Sequence, residues 1–385
     1  MLNFPESLRD SPSRIQCVEA FVLRSPILTP VVTSFGTMSD RPALFVRIVD
    51  GDGIEGWGEI WCNFPSVAAE YRAALVSSVF TPMLVGMEVG HPADLFTKLT
   101  LASAVLALQA GEPGPFAQVI AGLDLALWDL RARRAGVALW RLLGGESDLV
   151  KVYASGVNPV GAEALVATKI QQGFAAFKLK VGFGREQDIS SVRSISELVG
   201  TERGLMVDAN QAWDYESACL MSTELGRFRI GWLEEPVRSD RPLSEWQALA
   251  RRSPLPLAAG ENLVGEGAFA AAIASHAFAV VQPDAAKWGG ISGCLPVIRA
   301  IVRAGLTYCP HFLGGGVGLL ASAHLLAAAG GDGMLEVDAN ANPLRSMLCN
   351  SIESPVQGRV RLGDAPGIGV TPDIRTLRRH IQEAA

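Results

Sequence analysis

The chain has 385 residues, 49% hydrophobic and 19% charged, with 40 Gly and 22 Pro. That length and composition allow a large buried core with many tight loops and exclude a disordered chain. A net charge of −6 and scattered arginine pairs, with no basic stripe interleaved with aromatics, exclude a nucleic-acid surface as the organising feature.

Residues 1–13 read as a loose arm whose Glu6, Arg9, Asp10 and Arg14 surroundings hold no signal-peptide core. Strand-like runs follow at 14–24 and 43–49, separated by a Thr, Ser, Gly and Pro loop at 29–41 that carries Phe35. D-G-D-G at 50–53 predicts a hairpin turn into I-E-G-W-G-E-I. W-C-N-F-P at 61–65 then supplies Trp61, Asn63 and Phe64. These two aromatic-bearing loops are candidate lids over a site, or turns that pack. Helical patterning fills 66–109, broken at 82–86 by P-M-L-V-G. After a stop at 111–115, a helix is predicted over 116–134, ending in R-A-R-R before Gly136. Residues 1–140 read as one α+β unit.

Beyond Leu149, apolar runs recur near 151–155, 176–181, 204–208, 231–234, 256–260, 279–283, 307–310 and 334–337. Helix-length segments separate most of them, which predicts an α/β fold with a (β/α)₈ barrel over 141–349. An open doubly wound sheet is the rival, but a closed ring converges side chains from many strands more readily. The apolar stretch at 267–281 is too short to span a bilayer, and six scattered cysteines with no C-x-x-C pair fit reduced thiols. A cytoplasmic protein without membrane attachment is expected. Residues 350–385 read as strand, turn and Gly-rich loop returning to the first unit, with a surface helix over 373–383.

The polar groups fall at the ends of the predicted strands. Asp208, Glu234 and Glu261, in D-A-N, E-E-P and G-E-N, are 26 and 27 residues apart, the length of one strand, one helix and two loops. Three convergent carboxylates suit Mg²⁺, or Mn²⁺, better than they suit the alternative of three unrelated helix caps. Asn210 and Asn262 are placed to hold water or support those ligands, and Glu235, one residue out of phase, is expected to point away. Lys178 and Lys180 share one strand face at i and i+2, where mutual repulsion would lower an amine pKa and free a base. Asp284 and His311 end the sixth and seventh strands and could form a dyad that fixes the imidazole tautomer. Lys287 follows Asp284, and Glu336 in M-L-E-V-D is the polar group of strand eight. H-F-L-G-G-G-V-G at 311–318 lacks the Gly-Lys-Ser/Thr ending of a phosphate loop. Its glycines would instead let backbone approach a ligand or avoid crowding beside His311.

With these motifs the chain resembles the enolase superfamily, in the mandelate racemase subgroup, over nearly its whole length. The resemblance implies a modified barrel with an N-terminal α+β capping domain over 1–140 and a C-terminal segment, 350–385, returning to it. It implies Asp208, Glu234 and Glu261 as metal ligands, Lys180 and His311 as bases on opposite substrate faces, and Glu336 on the substrate carboxylate. Phe35, Trp61, Asn63 and Phe64 match the family's lid loops. Lys287 resembles the base of the muconate-lactonizing subgroup and separates the two subgroups poorly. The implied chemistry is Mg²⁺-dependent abstraction of the proton α to a carboxylate. Similarity to acid-sugar dehydratases and sugar-acid cycloisomerases leads to an expected dehydratase of an aldonate or aldarate. A racemase or epimerase, a cycloisomerase, a metal-dependent aldolase and a non-catalytic binding relative are the alternatives. Homo-oligomers are common in the family, and a homo-oligomer is expected here.

Overall fold

The computed structural model describes residues 13–32, 36–349 and 351–384, so Phe35 lies outside the described residues. Three antiparallel strands come first: β1 (Ile15–Val32), β2 (Thr37–Asp50) and β3 (Glu55–Ile60). Much of the expected loop at 29–41 is instead strand, because Val31 and Val32 pair with Met38 and Thr37 beyond a register shift after Pro26. β-branched residues on a hairpin edge tolerate the intervening prolines. Four helices follow: α1 (Ala68–Leu75), α2 (Thr81–Leu84), α3 (Pro92–Ala110) and α4 (Pro113–Arg134), with a π-helical turn at Val76–Phe80. The stop before α4 is shorter than expected. Gly111 ends α3 in a left-handed conformation, and Pro113 and Pro115 sit in the first turn of α4, where no backbone N–H is needed.

β3 lies directly on α4. A Cβ on Gly58 would stand 2.0 Å from the carbonyl of Gly122, so neither position has room for a side chain. Leu44, Val46, Ile48 and Ile60 bury one face of the sheet against Leu99, Val119, Leu123 and Leu127. Helix α3 is long and apolar enough to cross a bilayer by length and composition; it lies on α4, burying Leu95, Leu99, Ser103 and Ala107.

After a short helix α5 (Leu139–Leu142), eight parallel strands appear at the expected places. They are β4 (Leu149–Val157), β5 (Ala176–Lys180), β6 (Gly204–Asp208), β7 (Leu233–Glu234), β8 (Leu257–Ala259), β9 (Val280–Val281), β10 (Thr307–Tyr308) and β11 (Met334–Asp338). Between them lie α6 (Ala162–Gln171), α7 (Arg185–Val199), α8 (Tyr215–Leu225), α9 (Leu243–Arg252), α10 (Glu266–Ala274), α11 (Gly290–Arg303) and α12 (Gly316–Ala329). Ladders run from β10 through β4 to β11, and β10 meets β11 through Met334 N and Cys309 Sγ, 3.3 Å apart, so the barrel is nearly closed. Helix α13 (Pro343–Cys349) follows; β12 (Arg359–Arg361) then pairs antiparallel with β4. The chain next passes α4, where Ile368 N donates to Asp129 at 2.7 Å, and ends in α14 (Ile374–Ala384) against β1.

Strand periodicity stacks the barrel interior in layers. Tyr153, Ala176, Met206, Trp232, Ala258, Val280 and Cys309 form an apolar plug, with Met334 beside it. Two residues further along each strand stand Ser155, Lys178, Asp208, Glu234, Gly260, Gln282, His311 and Glu336. The polar layer sits above this plug, toward the C-terminal ends of the strands.

Candidate active site

Lys178 is fully buried above the plug, 5.5 Å from the Tyr153 ring, with Nζ 2.5 Å from Glu234 and 2.7 Å from Glu336. One residue pair along the same strand face, Lys180 donates to Asp208 at 2.6 Å and to the Asn210 side-chain oxygen at 2.5 Å. The expectation of a depressed lysine pKa is not met in this arrangement. Burial acts downward on Lys180, as does repulsion from Lys178, but Asp208 and Glu234 together outweigh them, and the amine is held above its ordinary value.

Asp208 and Glu234 face each other in register on adjacent strands. Burial pushes Glu234 up to about 7, with Asp208 and Glu336 adding to it against the pull of Lys178. Asp208 goes the other way: Lys180 and Lys178 overcome burial and hold it below the usual carboxylate range. Glu234 also accepts from Trp232 Nε1 at 3.0 Å and from Gln282 at 2.7 Å. Glu261 stands one residue past the polar layer. Gly260, with φ of 146°, takes the layer position, and a Cβ there would meet Gln282 N at 2.5 Å.

His311 Nδ1 lies 2.7 Å from Asp284, whose other oxygen accepts from Ala286 N and Lys287 N at 2.8 and 3.2 Å. The dyad therefore forms as the sequence suggests. His311 Nε2 contacts Glu261 at 2.5 Å, and against the cost of burial, Glu261, Glu336 and Asp284 raise the imidazole well above its ordinary value. Glu336 also accepts from the Ser155 hydroxyl and from Phe312 N. Lys287 donates to Asn262 at 2.8 Å and sits 5.0 Å from the centre of the Trp61 ring. Asn63 donates to Leu313 O at 2.6 Å, and Trp61, Asn63 and Phe64 line a cavity of about 280 Å³ shared with Lys180, Glu261 and His311.

Glu235 corrects one expectation. Its φ of 38° turns the chain after β7, and the buried carboxylate accepts from Asn262 at 2.9 and 3.2 Å instead of pointing away. Burial, with Glu261 and Asp208 nearby, pushes it up to about 8. Among the described residues, no three His, Cys, Asp or Glu side chains converge as they stand closely enough to hold a metal, because each carboxylate is turned onto a base. The donor set nonetheless fits a hard divalent ion: carboxylate oxygens at three successive strand ends, with Asp208 and Glu234 buried and Glu261 nearly so.

The glycine-rich run after β10 approaches Glu59, a buried carboxylate from β3. Gly315 N and Gly318 N, at the start of α12, donate to Glu59 at 2.5 and 2.8 Å. A Cβ on Gly314 or Gly315 would lie 2.9 Å from Glu59 Oε1. Asp124 of α4 does the same for α11, accepting from Ile291 N and Ser292 N at 2.7 and 2.9 Å. The helices following both members of the Asp284–His311 dyad are thus capped from the first unit. Sequence reasoning missed Glu59, Asp124, Gln282 and Ser155. For Gln282 and Ser155 the i+2 phase above the apolar plug was the available signal.

Residues 17–144 match the mandelate racemase / muconate lactonizing enzyme N-terminal domain, and residues 161–376 match the enolase C-terminal domain-like family. A solved mandelate racemase/muconate lactonizing enzyme from Bordetella bronchiseptica is 52% identical, with a TM-score of 0.91 over 96% of this chain and 99% of that one. The D-galactarolactone cycloisomerase of Agrobacterium fabrum is 29% identical over 93% of this chain and 96% of its own. An L-talarate dehydratase from Polaromonas, solved with Mg and L-glucarate, is 28% identical, with a TM-score of 0.79 over 95% and 97% of the two chains. The chain belongs to the mandelate racemase/muconate lactonizing enzyme family of the enolase superfamily.

Proposed function

We propose that this enzyme removes the proton α to the carboxylate of an acid sugar, with Mg²⁺ or Mn²⁺ as cofactor, and dehydrates it to a 2-keto-3-deoxy acid. The observation that carries the reading is the placement of two proton-transfer groups, Lys180 and His311, on one small cavity beside clustered carboxylates. Asp208, Glu234 and Glu261 would hold the divalent ion, which when bound would stabilise negative charge developing on the substrate carboxylate.

Lys178, enclosed and charged, places a fixed cation beside Glu234 and Glu336 at the floor of the site. Lys180, once its amine is neutral, accepts the α-proton at Nζ. Asp284 holds Nδ1 of His311 in its protonated form, so the proton exchanged with substrate is the one on Nε2. That proton passes to the departing β-hydroxyl, which leaves as water. The aromatic wall of Trp61 and Phe64 restricts water over the reacting carbon. The similarity to a galactarolactone cycloisomerase supports a second reading, in which His311 Nε2 delivers its proton to carbon.

The test is incubation with Mg²⁺ and a panel of acid sugars in D₂O, following 2-keto acid formation and α-deuterium uptake together. A 2-keto-3-deoxy product supports dehydration, and Lys180→Ala and His311→Ala should each lower its rate by about 10²–10⁴. Deuterium uptake without that product supports the second reading. No reaction with any acid sugar refutes both.

A further inference from the structure

The wall of the cavity away from Glu261 and Lys287 is built from a different set of groups. Arg41, on β2, reaches it from the first unit, and the ends of β4 and β11 supply Asn158, Asp338 and Asn340. By strand order these two ends are adjacent to each other and across the ring from β7 and β8, which carry Glu234 and Glu261. Arg41 is 3% exposed, and a guanidinium so enclosed needs partners. Among the described residues its partner is Asp338, reached through Nη2 alone. Nε and Nη1 bond no described residue, and they are not shut off from the cavity.

Asp338 does not cancel the charge of Arg41. The same carboxylate oxygen stands 3.5 Å from Nη1 of Arg345, also buried, so one anion is shared by two guanidiniums. Its other oxygen is occupied by Asn340, from N at 3.0 Å and from Nδ2 at 2.8 Å. Glu353, the remaining acid of the group, pairs with Arg345 Nε at 2.6 Å, on a different edge of that guanidinium. Lys169, buried nearby, adds a third cation to the group. Nη2 keeps a second N–H beyond the one given to Asp338, and with the N–H beside it, on Nε or Nη1, it leaves one forked edge of Arg41 to the cavity, in a group that holds three cations to two carboxylates. A planar fork of that kind matches a carboxylate in two parallel hydrogen bonds, where a hydroxyl would use one donor.

Resting on the acid-sugar reading, we propose that Arg41, with Asn158 beside it, binds the terminal carboxylate of a dicarboxylic acid sugar, making this enzyme selective for aldarates over aldonates of the same chain length. The reacting carboxylate then lies at the end of the cavity with Lys180 and His311, and the second carboxylate at Arg41. A charge-assisted pair of this type contributes about 1.5–3 kcal/mol, which is about 10- to 100-fold in affinity.

The experiment is calorimetric titration of the Mg²⁺-loaded protein with six-carbon aldarates and the matching aldonates, followed by turnover of each. Wild type is expected to bind the aldarate at least about tenfold more tightly. Arg41→Met should abolish that preference by weakening the aldarate more than the aldonate, and Arg41→Lys, which keeps the charge opposite Asp338, should lose part of it. If Arg41→Met does not fold, Arg41→Lys carries the comparison, and an aldarate preference undiminished in it overturns the proposal. Equal loss for both ligand classes, a preference that survives Arg41→Met, or binding of neither class also overturns it. Arg41-dependent aldarate binding without turnover supports this subsite and refutes the dehydratase reading, so the two failures are distinct.

Discussion

Glu59→Gln tests whether the first unit holds the loop that carries His311. The wild-type carboxylate accepts from Gly315 N at 2.5 Å and Gly318 N at 2.8 Å, one to each oxygen. The amide keeps one acceptor, so one buried N–H loses its partner at a cost of about 1–3 kcal/mol. Part of that is offset, because burial already pushes Glu59 up to about 7 and the neutral amide is easier to bury. A net loss of about 1–2 kcal/mol is expected for Glu59→Gln. Glu59→Ala, which strands both donors and opens a cavity, should lose about 2–5 kcal/mol. Urea unfolding measures both, and hydrogen exchange of the 315–318 amides should speed up in step with the lost bonds. If neither variant shifts stability by more than about 0.5 kcal/mol, the usual range of a neutral surface change, the clamp is not a stabilising contact and the reasoning fails.

Two further outcomes follow from the buried acids. Stripping divalent metal with a chelator should abolish turnover and lower the melting temperature. Restoring Mg²⁺ at about 100 times its Kd should return about 2.7 kcal/mol, and a melting temperature indifferent to metal would refute the assigned ligands. In saturating Mg²⁺, stability should fall as pH rises from 5.5 to 8. Burial raises Asp124 to about 7, Glu59 to about 7 and Asp129 to about 6, so the folded state keeps protons the unfolded chain has released. That stability is fully present below the unfolded carboxylate pKa and disappears as pH passes through 6–7. His324, held down to about 4 by burial, acts in the opposite sense below its ordinary value. The slope should be shallower in Asp124→Asn, and a urea midpoint that climbs with pH would contradict the assignment.

The barrel was legible because strand ends announce themselves: K-L-K, D-A-N, E-E-P and V-V-Q-P-D each close an apolar run with a polar residue in the same phase. The Asp284–His311 dyad follows from the ends of two neighbouring strands, and Lys178 and Glu336 stand in one layer through that phase. Glu235 was misjudged because alternation holds only while the chain stays extended, and a positive φ ends it there. The loop at 29–41 was misjudged because prolines mark edges as well as breaks. The capping of α11 and α12 by Asp124 and Glu59 pairs residues 167 and 256 positions apart, and no local pattern reports such contacts. Arg41 was equally hidden, since its partner Asp338 is 297 residues away.

Because Glu59 and Asp124 finish helices that belong to the barrel, the two units cannot be exchanged freely among relatives. A chimera that grafts a foreign first unit onto residues 141–349 would inherit two helix starts with unanswered N–H groups unless the donor supplies acids at the matching positions. Any recombination aimed at new substrates should therefore vary the cavity wall around Arg41 and Trp61 and leave those two carboxylates in place.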